Sequence, residues 1–438
     1  MYDAIVTAPG SLGDVNPMLA IARILQADGK RVIFLAAEQY LHLAERAGLE
    51  THPLFDRATF DDFVSDPKLW HPRHGARQIF QKAVNSVLRT HYGWLEQNCV
   101  PGQTMLVSHL LDFAGRIYRD KYPNTSCVSV LPAPAPLRSF TEPPRVSSYS
   151  WEPWIPRSWL PLAYWAADQW VDRIGAVEIN ALRSEIGLQP IRRMLHKWWY
   201  SPDMVLCLFP AWFSIPKVDL HPQMRLVGFP LADSHDVVEE TIHAELQDIL
   251  ERIGGEQPIV FAPGTANHHG HEYLTHAVAA CRELGRAAIL ISNDPRQIPS
   301  NLPDKIYAAR YLPFSQLLPR AAAIVHHGGV GTTSQAFSAG IPQIVLPMAF
   351  DQFDNANRVA TLQCGSWLPM RRLNKERLKR QLSAMPQVTA GVDRVQSLIS
   401  QQPPFSETIQ RLLRVPLESA SQASTEPRPL PDADQESL

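Results

Sequence analysis

The sequence predicts an α/β protein with two domains, each built on a parallel sheet. Short apolar runs alternate with stretches of helical periodicity at the N-terminus, and the same alternation starts again near residue 259. Parallel strands need a crossover connection, usually a helix, so this alternation is typical of parallel sheets. At 438 residues the chain is also too long for one ordinary hydrophobic core. We therefore expect two similar halves that face each other.

The first half begins with a strand at residues 4–8 that runs directly into the loop GSLGDVNP. Pro17 suits the first position of a helix, with Asn16 as its N-cap, and apolar residues then repeat at helical spacing. Further strands are expected at residues 32–36, 105–108, 126–130, 205–209 and 225–229. Gly10 and Gly13 supply only part of a dinucleotide-binding fingerprint, which makes nicotinamide binding the lesser alternative.

Prolines crowd residues 131–161, and eight of the 11 tryptophans lie between Trp151 and Trp212. Prolines at this density prevent regular structure, so we expect a long loop that leads into helices. The tryptophans could line a site for a large apolar ligand or pack in the core, and both interpretations stay open. The candidates for contact with such a ligand are Trp151, Trp154, Trp159 and Trp165.

The second half repeats the alternation, with strands expected at residues 259–262, 288–291, 306–309, 322–325 and 343–346. The last segment is rich in Ser, Pro, Glu and Asp with almost nothing to bury, so we expect it to be disordered. These patterns divide the chain into a first domain (1–212), a linker (213–240), a second domain (241–400), a C-terminal helix that crosses back to the first domain (401–416) and a tail (417–438).

A glycine-rich turn in the second half predicts an anion site. The strand that ends at Val325 is followed by His326 and His327, by three glycines, and by a helix that Thr332 or Thr333 could cap. Glycines let a ligand approach the backbone closely, and the free N–H groups at a helix N-terminus favour negative charge. A diphosphate would fit this turn.

A second pair of polar residues, Asp351 and Gln352, follows the next apolar strand. In a parallel sheet both loops leave at the carboxyl edge of neighbouring strands, where ligands of such sheets bind. A carboxylate beside an amide suits the vicinal hydroxyls of a sugar. The two loops together therefore predict a site for a sugar linked to a diphosphate.

Charge and cysteine content argue against several other classes. A net charge of −2 without a basic run gives no footprint for nucleic acid. The five cysteines are scattered and form no CxxC pair, so they indicate neither a disulfide framework nor a zinc site, and a reducing cytoplasm fits best. The N-terminus lacks the features of a signal peptide, and no apolar run is long enough to span a bilayer.

The block HHGGVGTTSQAFSAGIPQIVLPMAFDQFDNANRV resembles the nucleotide-sugar signature of family-one glycosyltransferases, which have two facing Rossmann-like domains with parallel sheets, the GT-B fold. GSLGDVNP resembles the N-terminal motif of the sterol and antibiotic members of that family. The runs PKLWHP, CLFPAWF, GFPL and DQFDNANRV further resemble the rhamnosyltransferase B chain of bacterial rhamnolipid synthesis. That group joins a deoxysugar to a 3-(3-hydroxyalkanoyloxy)alkanoate lipid.

The resemblance implies roles for the matching residues. His327 falls at the usual phosphate-contacting histidine, and His326 at the corresponding place in the rhamnosyltransferase pattern. Tyr311 falls where a flat ring stacks on the pyrimidine, and Asp351 with Gln352 where the sugar hydroxyls bind. The other candidates for the donor site are Gly13, Gly264, Thr265, Gly329, Gly331, Thr332 and Thr333.

Inverting sugar transfer needs a base, because the acceptor hydroxyl loses its proton as it attacks. The resemblance puts Asp14 in that role, with a helix cap as the alternative, and His109 is a weaker candidate for orienting Asp14 or the acceptor. The spacing of a metal-binding DxD motif occurs only in acidic spots such as the tail. We therefore expect a metal-independent enzyme without a cofactor.

The sequence therefore predicts an inverting glycosyltransferase that uses dTDP-rhamnose or UDP-glucose and a hydroxyacyl lipid acceptor, and so makes a glycolipid biosurfactant. A sterol, macrolide or carotenoid acceptor is the alternative within this class. A sugar-nucleotide epimerase of the same fold and a catalytically inactive partner protein are the alternatives outside it. A cytoplasmic location is expected, with peripheral contact at the inner membrane and an acyl-ester-forming partner enzyme as open additions.

Overall fold

The computed structural model describes residues 1–70, 74–147, 155–231, 240–264, 270–385 and 390–414. The described strands form two sheets, and every strand pair in them is parallel. The first sheet has the order β3-β2-β1-β4-β5-β6-β7 and consists of β1 (Ala4–Ala8), β2 (Val32–Ala37), β3 (Glu50–Phe55), β4 (Met105–His109), β5 (Cys127–Leu131), β6 (Met204–Cys207) and β7 (Met224–Leu226).

The second sheet has the order β10-β9-β8-β11-β12-β13. It consists of β8 (Ile259–Ala262), β9 (Ala288–Ile291), β10 (Ile306–Ala309), β11 (Ala323–His326), β12 (Gln343–Val345) and β13 (Gly365–Trp367). In both sheets the strand that comes first in the chain lies in the interior, and later strands pair on both sides of it. The predicted fold class, two facing Rossmann-like domains with parallel sheets, is confirmed.

Helices cover both faces of each sheet. Those of the first domain are α1 (Leu12–Ala27), α2 (Glu38–Arg46), α3 (Arg57–Ser65), α4 (Gly75–Gln78), α5 (Asn85–Asn98), α6 (Phe113–Lys121), α7 (Leu160–Glu185) and α8 (Met194–Lys197), with a π-helical turn at Ile79–Val84. The later ones are α9 (Glu240–Ile253), α10 (Gly270–Leu284), α11 (Phe314–Leu317), α12 (Val330–Ala339), α13 (Gln352–Thr361), α14 (Lys375–Ala384), α15 (Ala390–Ser400) and α16 (Phe405–Arg414). No helix within the described ranges has both the length and the apolar character needed to cross a membrane.

Apolar packing joins the two domains. One buried cluster contains residues of both domains. Leu131 at the end of β5 and Phe213 after β6 pack in it together with Phe337 and Val359, which lie on helices of the second domain. α16 packs against α1, and the carboxylate of Asp28 pairs with the guanidinium of Arg414. The last described helix therefore lies on the first domain.

The prediction that Pro17 begins the first helix under an Asn16 cap is wrong. α1 begins at Leu12 with Ser11 as its N-cap, so Pro17 lies inside the helix. The carboxylate of Asp14 accepts a hydrogen bond from the Ser11 N–H at 3.0 Å, which is one bond of a capping box. This local bond favours the earlier start.

The sequence patterns do not predict the strands β3 and β13, the helices α6 and α15, or the short helices α8 and α11. Both strands lie at the edge of their sheet, where a strand pairs on one side only and has fewer buried positions. β3 contains exposed Glu50 and a proline, and β13 is Gly-Ser-Trp. Neither carries the continuous apolar run of an interior parallel strand.

Candidate active site

Asp14 projects from the first turn of α1, the helix that follows β1. Oδ2 of Asp14 accepts the Ser11 N–H bond, and the carboxylate keeps 31% of its surface exposed. A Cβ atom at Gly10 would lie 2.0 Å from Oδ2 of Asp14, so only glycine leaves room for the carboxylate to fold back over the loop. Asp14 does take part in the helix cap, yet it also remains open to the cleft.

The imidazole of His109 lies at the end of β4, the neighbour of β1 in the sheet, with its Nε2 3.2 Å from Oδ1 of Asp14. Its Nδ1 accepts a hydrogen bond from the Leu111 N–H at 3.3 Å. Because Nδ1 is an acceptor, a ring proton lies on Nε2, the nitrogen that faces the carboxylate of Asp14. The structure thus brings together the two residues that the sequence assigned to catalysis.

Asp112, which the sequence analysis did not single out, fixes the loop that carries His109. Its carboxylate accepts hydrogen bonds from the Ser108 hydroxyl at 2.7 Å and the Gly115 N–H at 2.9 Å, and its own N–H donates to the His109 carbonyl at 2.8 Å. Charge interaction with His91 and these bonds hold the pKa of Asp112 below its usual value although burial opposes this. An Asp at a helix N-cap, three residues after the end of the strand, is the sequence signal that could have identified it.

The two adjacent histidines after β11 have different surroundings. His326 is fully buried, its Nδ1 accepts from the Gly328 N–H at 3.2 Å, and its Nε2 lies 3.0 Å from Oε1 of Gln343. Burial, with the neighbouring His327, lowers the pKa of His326 to about 3. Both ring nitrogens are therefore engaged within the protein, and the ring is neutral.

The ring of His327 lies in a slot between two glycines. A Cβ at Gly264 would lie 2.7 Å from its Nδ1, and a Cβ at Gly329 would lie 2.5 Å from its Nε2. Gly264 also has a φ of +93°, which a side chain rarely adopts. Burial lowers the pKa of His327 to about 4, and Nδ1 is buried with no hydrogen-bond partner among the described residues. His327 is thus a neutral ring without a partner at Nδ1, held in place by the shape of the turn.

The prediction that Thr332 or Thr333 caps the next helix is wrong, because Gly329 is the N-cap of α12. The hydroxyl of Thr333 donates to the Gly329 carbonyl at 3.0 Å, and its side chain is buried. The N–H groups of the first helical turn, including those of Gly331 and Thr332, have no acceptor within the helix. They give the turn its positive end.

Asp351 and Gln352 begin α13 beside this turn. Oε1 of Gln352 accepts from the N–H groups of Met348 at 2.8 Å and Ala349 at 3.2 Å, and Oδ2 of Asp351 accepts from the Asn355 amide at 2.8 Å. Burial raises the pKa of Asp351 to about 7, and the negative charge of Asp14 adds to this rise. The two carboxylates therefore interact across the cleft between the domains.

The other candidates lie in different settings. Tyr311 is half-buried just beyond β10 in the second domain, and Gly13 lies in the first turn of α1 with room for a methyl group. Trp159 and Trp165 are exposed near the start of α7. Trp151, Trp154, Thr265 and the predicted tail lie outside the described residues. Among the side chains that the structure describes, no three His, Cys, Asp or Glu groups lie close enough together to hold a metal ion.

A polar bridge between the domains was also missed by the sequence analysis. Asp354 accepts from the Arg145 N–H at 3.0 Å and from Arg358 Nε at 2.7 Å. Arg358 Nη1 donates to the carbonyls of Phe213 and Ser214, both at 2.9 Å. Asp354 lies one helical turn beyond Asp351, so this bridge holds α13 against the first domain next to the site.

Comparisons with known proteins agree with this architecture. Residues 278–415 match the family described as the C-terminal domain of erythromycin biosynthesis protein CIII-like proteins. The O-mycaminosyltylonolide 6-deoxyallosyltransferase of Streptomyces fradiae is 27% identical over 407 residues, which cover 84% of this chain and 86% of that protein.

Two solved structures share the fold over nearly the whole chain. The glycotransferase of kitacinnamycin superposes with a TM-score of 0.70 at 17% identity, covering 95% of this chain and 98% of that one. The spinosyn rhamnosyltransferase SpnG complexed with thymidine diphosphate superposes with a TM-score of 0.64 at 19% identity, covering 94% of this chain and all of that one. The matches in sequence and the shared two-domain fold identify the chain as a glycosyltransferase of the GT-B type.

Proposed function

We propose that this enzyme transfers rhamnose or glucose from a nucleoside diphosphate donor to the hydroxyl of a 3-(3-hydroxyalkanoyloxy)alkanoate lipid, with inversion at the anomeric carbon. The observation that carries the proposal is the closeness of Asp14, in the first domain, to Asp351, beside the glycine-rich turn of the second domain, since the charge of Asp14 adds to the rise in the pKa of Asp351 that burial causes. A sugar held by the second domain would present its anomeric carbon toward Asp14.

The donor site is assigned to the second domain. The free N–H groups at the start of α12 and the ring of His327 would receive the diphosphate, and Tyr311 would stack on the base. We assign His327 rather than His326 to the phosphate, since both nitrogens of His326 are already engaged. Asp351 and Gln352 would bind the sugar hydroxyls. Thymidine diphosphate in a structural neighbour supports a nucleoside diphosphate ligand for this fold.

Asp14 is assigned as the base. The acceptor oxygen forms a bond to the anomeric carbon as the bond from that carbon to the diphosphate oxygen breaks, and the hydroxyl proton passes to Asp14. The N–H groups of α12 stabilise the negative charge that grows on the leaving diphosphate. His109, whose Nε2 lies 3.2 Å from Oδ1 of Asp14, would orient the carboxylate toward the acceptor.

The lipid part of the proposal is supported by the resemblance of four sequence runs and by the surface of α7. Trp159, Leu162, Trp165, Trp170 and Val177 leave between 43% and 63% of their surface exposed on and just before this helix. Exposed Arg157 and Arg173 lie among them. Tryptophan favours the membrane interface and arginine favours anionic lipid, so we propose that this face rests on the membrane that holds the acceptor.

A macrolide acceptor is the second candidate, and the name of the Streptomyces fradiae relative favours it. Incubation of the enzyme with several sugar nucleotides, with a hydroxyalkanoyloxyalkanoate lipid or with a macrolide aglycone, followed by mass spectrometry, separates the two. A glycosylated lipid supports the proposal, and a glycosylated macrolide alone contradicts it. Conversion of the donor without any acceptor would instead indicate an epimerase.

A further inference from the structure

The loop in front of Asp351 reaches across the cleft. Phe350 has a left-handed backbone with a φ of +53°, which is unfavourable for a residue with a side chain, and 37% of its surface is exposed. The bonds from the Met348 and Ala349 N–H groups to Gln352 hold the loop in this shape. Glycine would adopt this backbone conformation without strain. The presence of phenylalanine therefore indicates that the aromatic ring has a role.

The ring of Phe350 contacts the first domain at Trp70. The two ring centroids are 5.9 Å apart with an interplanar angle of 63°, an edge-to-face contact. Trp70 ends a 3₁₀ helix, Pro67–Trp70, and packs on an apolar cluster that includes Phe63 and Leu69. A Cβ at Gly75 would lie 3.2 Å from the Phe350 ring and 2.4 Å from the Leu69 carbonyl, so glycine at that position leaves room for the contact.

This aromatic contact and the Asp354 bridge connect the second domain to segments of the first domain that follow strands on opposite sides of β1. Trp70 belongs to the segment after β3, and Arg145, which bonds to Asp354, belongs to the segment after β5. In the sheet, β3 and β5 lie on either side of β1, which is followed by the helix that carries Asp14. An acceptor that approaches Asp14 between these two strands would pass between the two contacts.

We propose that Phe350 and Trp70 determine acceptor specificity by forming the wall of the acceptor passage on the β3 side. A wall of two aromatic rings at this place would favour a flexible acyl chain over a rigid ring system. The indole N–H of Trp70 is buried and has no hydrogen-bond partner among the described residues, and a polar group of a bound acceptor would supply one. The proposal rests on the proposed glycosyltransferase function and adds that these two rings select the acceptor by its shape.

The test compares kcat/KM for two acceptors, a hydroxyalkanoyloxyalkanoate lipid and a rigid macrolide aglycone, in the wild-type enzyme and in Phe350→Gly. Glycine removes the ring and suits the left-handed backbone. We expect the ratio of macrolide to lipid kcat/KM to rise about tenfold or more, since pocket contacts of one side chain discriminate on this scale. Nucleoside diphosphate affinity, measured by calorimetry, should stay within about twofold because the phosphate contacts lie elsewhere.

Phe140→Ala is the matched control, because Phe140 is 38% exposed and also makes one edge-to-face contact, with Tyr164 at 5.5 Å. It should leave the acceptor ratio unchanged. Trp70→Ala removes the opposite side of the wall and should shift the ratio in the same direction as Phe350→Gly. An unchanged ratio in both cleft variants, or an equal shift in Phe140→Ala, overturns the proposal. If the wild-type enzyme glycosylates only the macrolide, the lipid assignment is contradicted. The wall is then tested separately, because Phe350→Gly and Trp70→Ala should still raise kcat/KM for the macrolide relative to wild type.

Discussion

Replacement of Gly10 by alanine should prevent Asp14 from acting as a base, although Asp14 itself is unchanged. The new Cβ would lie 2.0 Å from Oδ2, 2.5 Å from Cγ and 2.9 Å from Cβ of Asp14, all closer than real contacts allow. The φ of Gly10 is outside the left-handed region, so alanine is acceptable to the backbone itself. The carboxylate must therefore move, and it loses its hydrogen bond from the Ser11 N–H and its close contact with His109.

The expected result is a loss of turnover of about 10²-fold or more, the usual contribution of a general base. Loss of the capping interaction should lower the free energy of unfolding by about 1 kcal/mol. Release of nucleoside diphosphate in the presence of acceptor measures turnover, and calorimetry should show donor affinity within about twofold of wild type. Gly93→Ala in α5 is the control, because its new Cβ would meet nothing within 4 Å.

A double-mutant cycle decides whether the effect passes through Asp14. If Gly10→Ala acts only by moving that carboxylate, the double variant with Asp14→Asn should be no slower than Asp14→Asn alone. Losses that multiply would show that Gly10 acts on another part of the site. Wild-type turnover in Asp14→Asn itself would remove Asp14 from the mechanism.

Three further predictions concern the donor site and the membrane surface. His327→Ala should weaken nucleoside diphosphate binding by about tenfold to a hundredfold in calorimetry, because it removes a donor to a charged oxygen; unchanged affinity would exclude that contact. The pKa of Asp351 is raised from 3.8 to about 7, so its favourable contribution to stability is present below about pH 4 and is lost as the pH rises through 7. Asp351→Asn should therefore raise the melting temperature by about 2 °C or more at pH 8 and have little effect at pH 4, and an equal change at both pH values would contradict this. The double variant Trp159→Ala with Trp165→Ala should sediment about tenfold less with anionic phospholipid vesicles, whereas binding equal to wild type would assign the face another role.

Most of the sheet is predictable from the sequence because interior parallel strands are buried on both faces. The interior strands β1, β8 and β9 have the predicted bounds. The same reasoning fails at two edge strands, β3 and β13, which bury too little to leave an apolar run, whereas the edge strand β10 (IYAA) keeps such a run and also has the predicted bounds.

The meeting of Asp14 with His109 follows from topology, since β1 and β4 are neighbours and their loops leave at the same edge. The choice between His326 and His327 does not. The neighbouring strand β12 supplies Gln343, whose side chain contacts the ring of His326. Gln343 lies seventeen positions from His326 in the chain. Only the pairing of the two strands shows that His326, and not His327, has a hydrogen-bonding partner at Nε2 on the neighbouring strand.

The glycines show the same limit most clearly. From the sequence, Gly264 and Gly329 are candidates for the nucleotide-sugar site, and Gly10 is part of an incomplete dinucleotide-binding fingerprint. In the structure each leaves room for a side chain, His327 at the first two and Asp14 at the third. Alanine would keep the same N–H groups, so donation alone cannot require glycine at Gly10 or Gly329. The requirement comes from a side chain that folds over the glycine, and that side chain is identified only once the loop is folded.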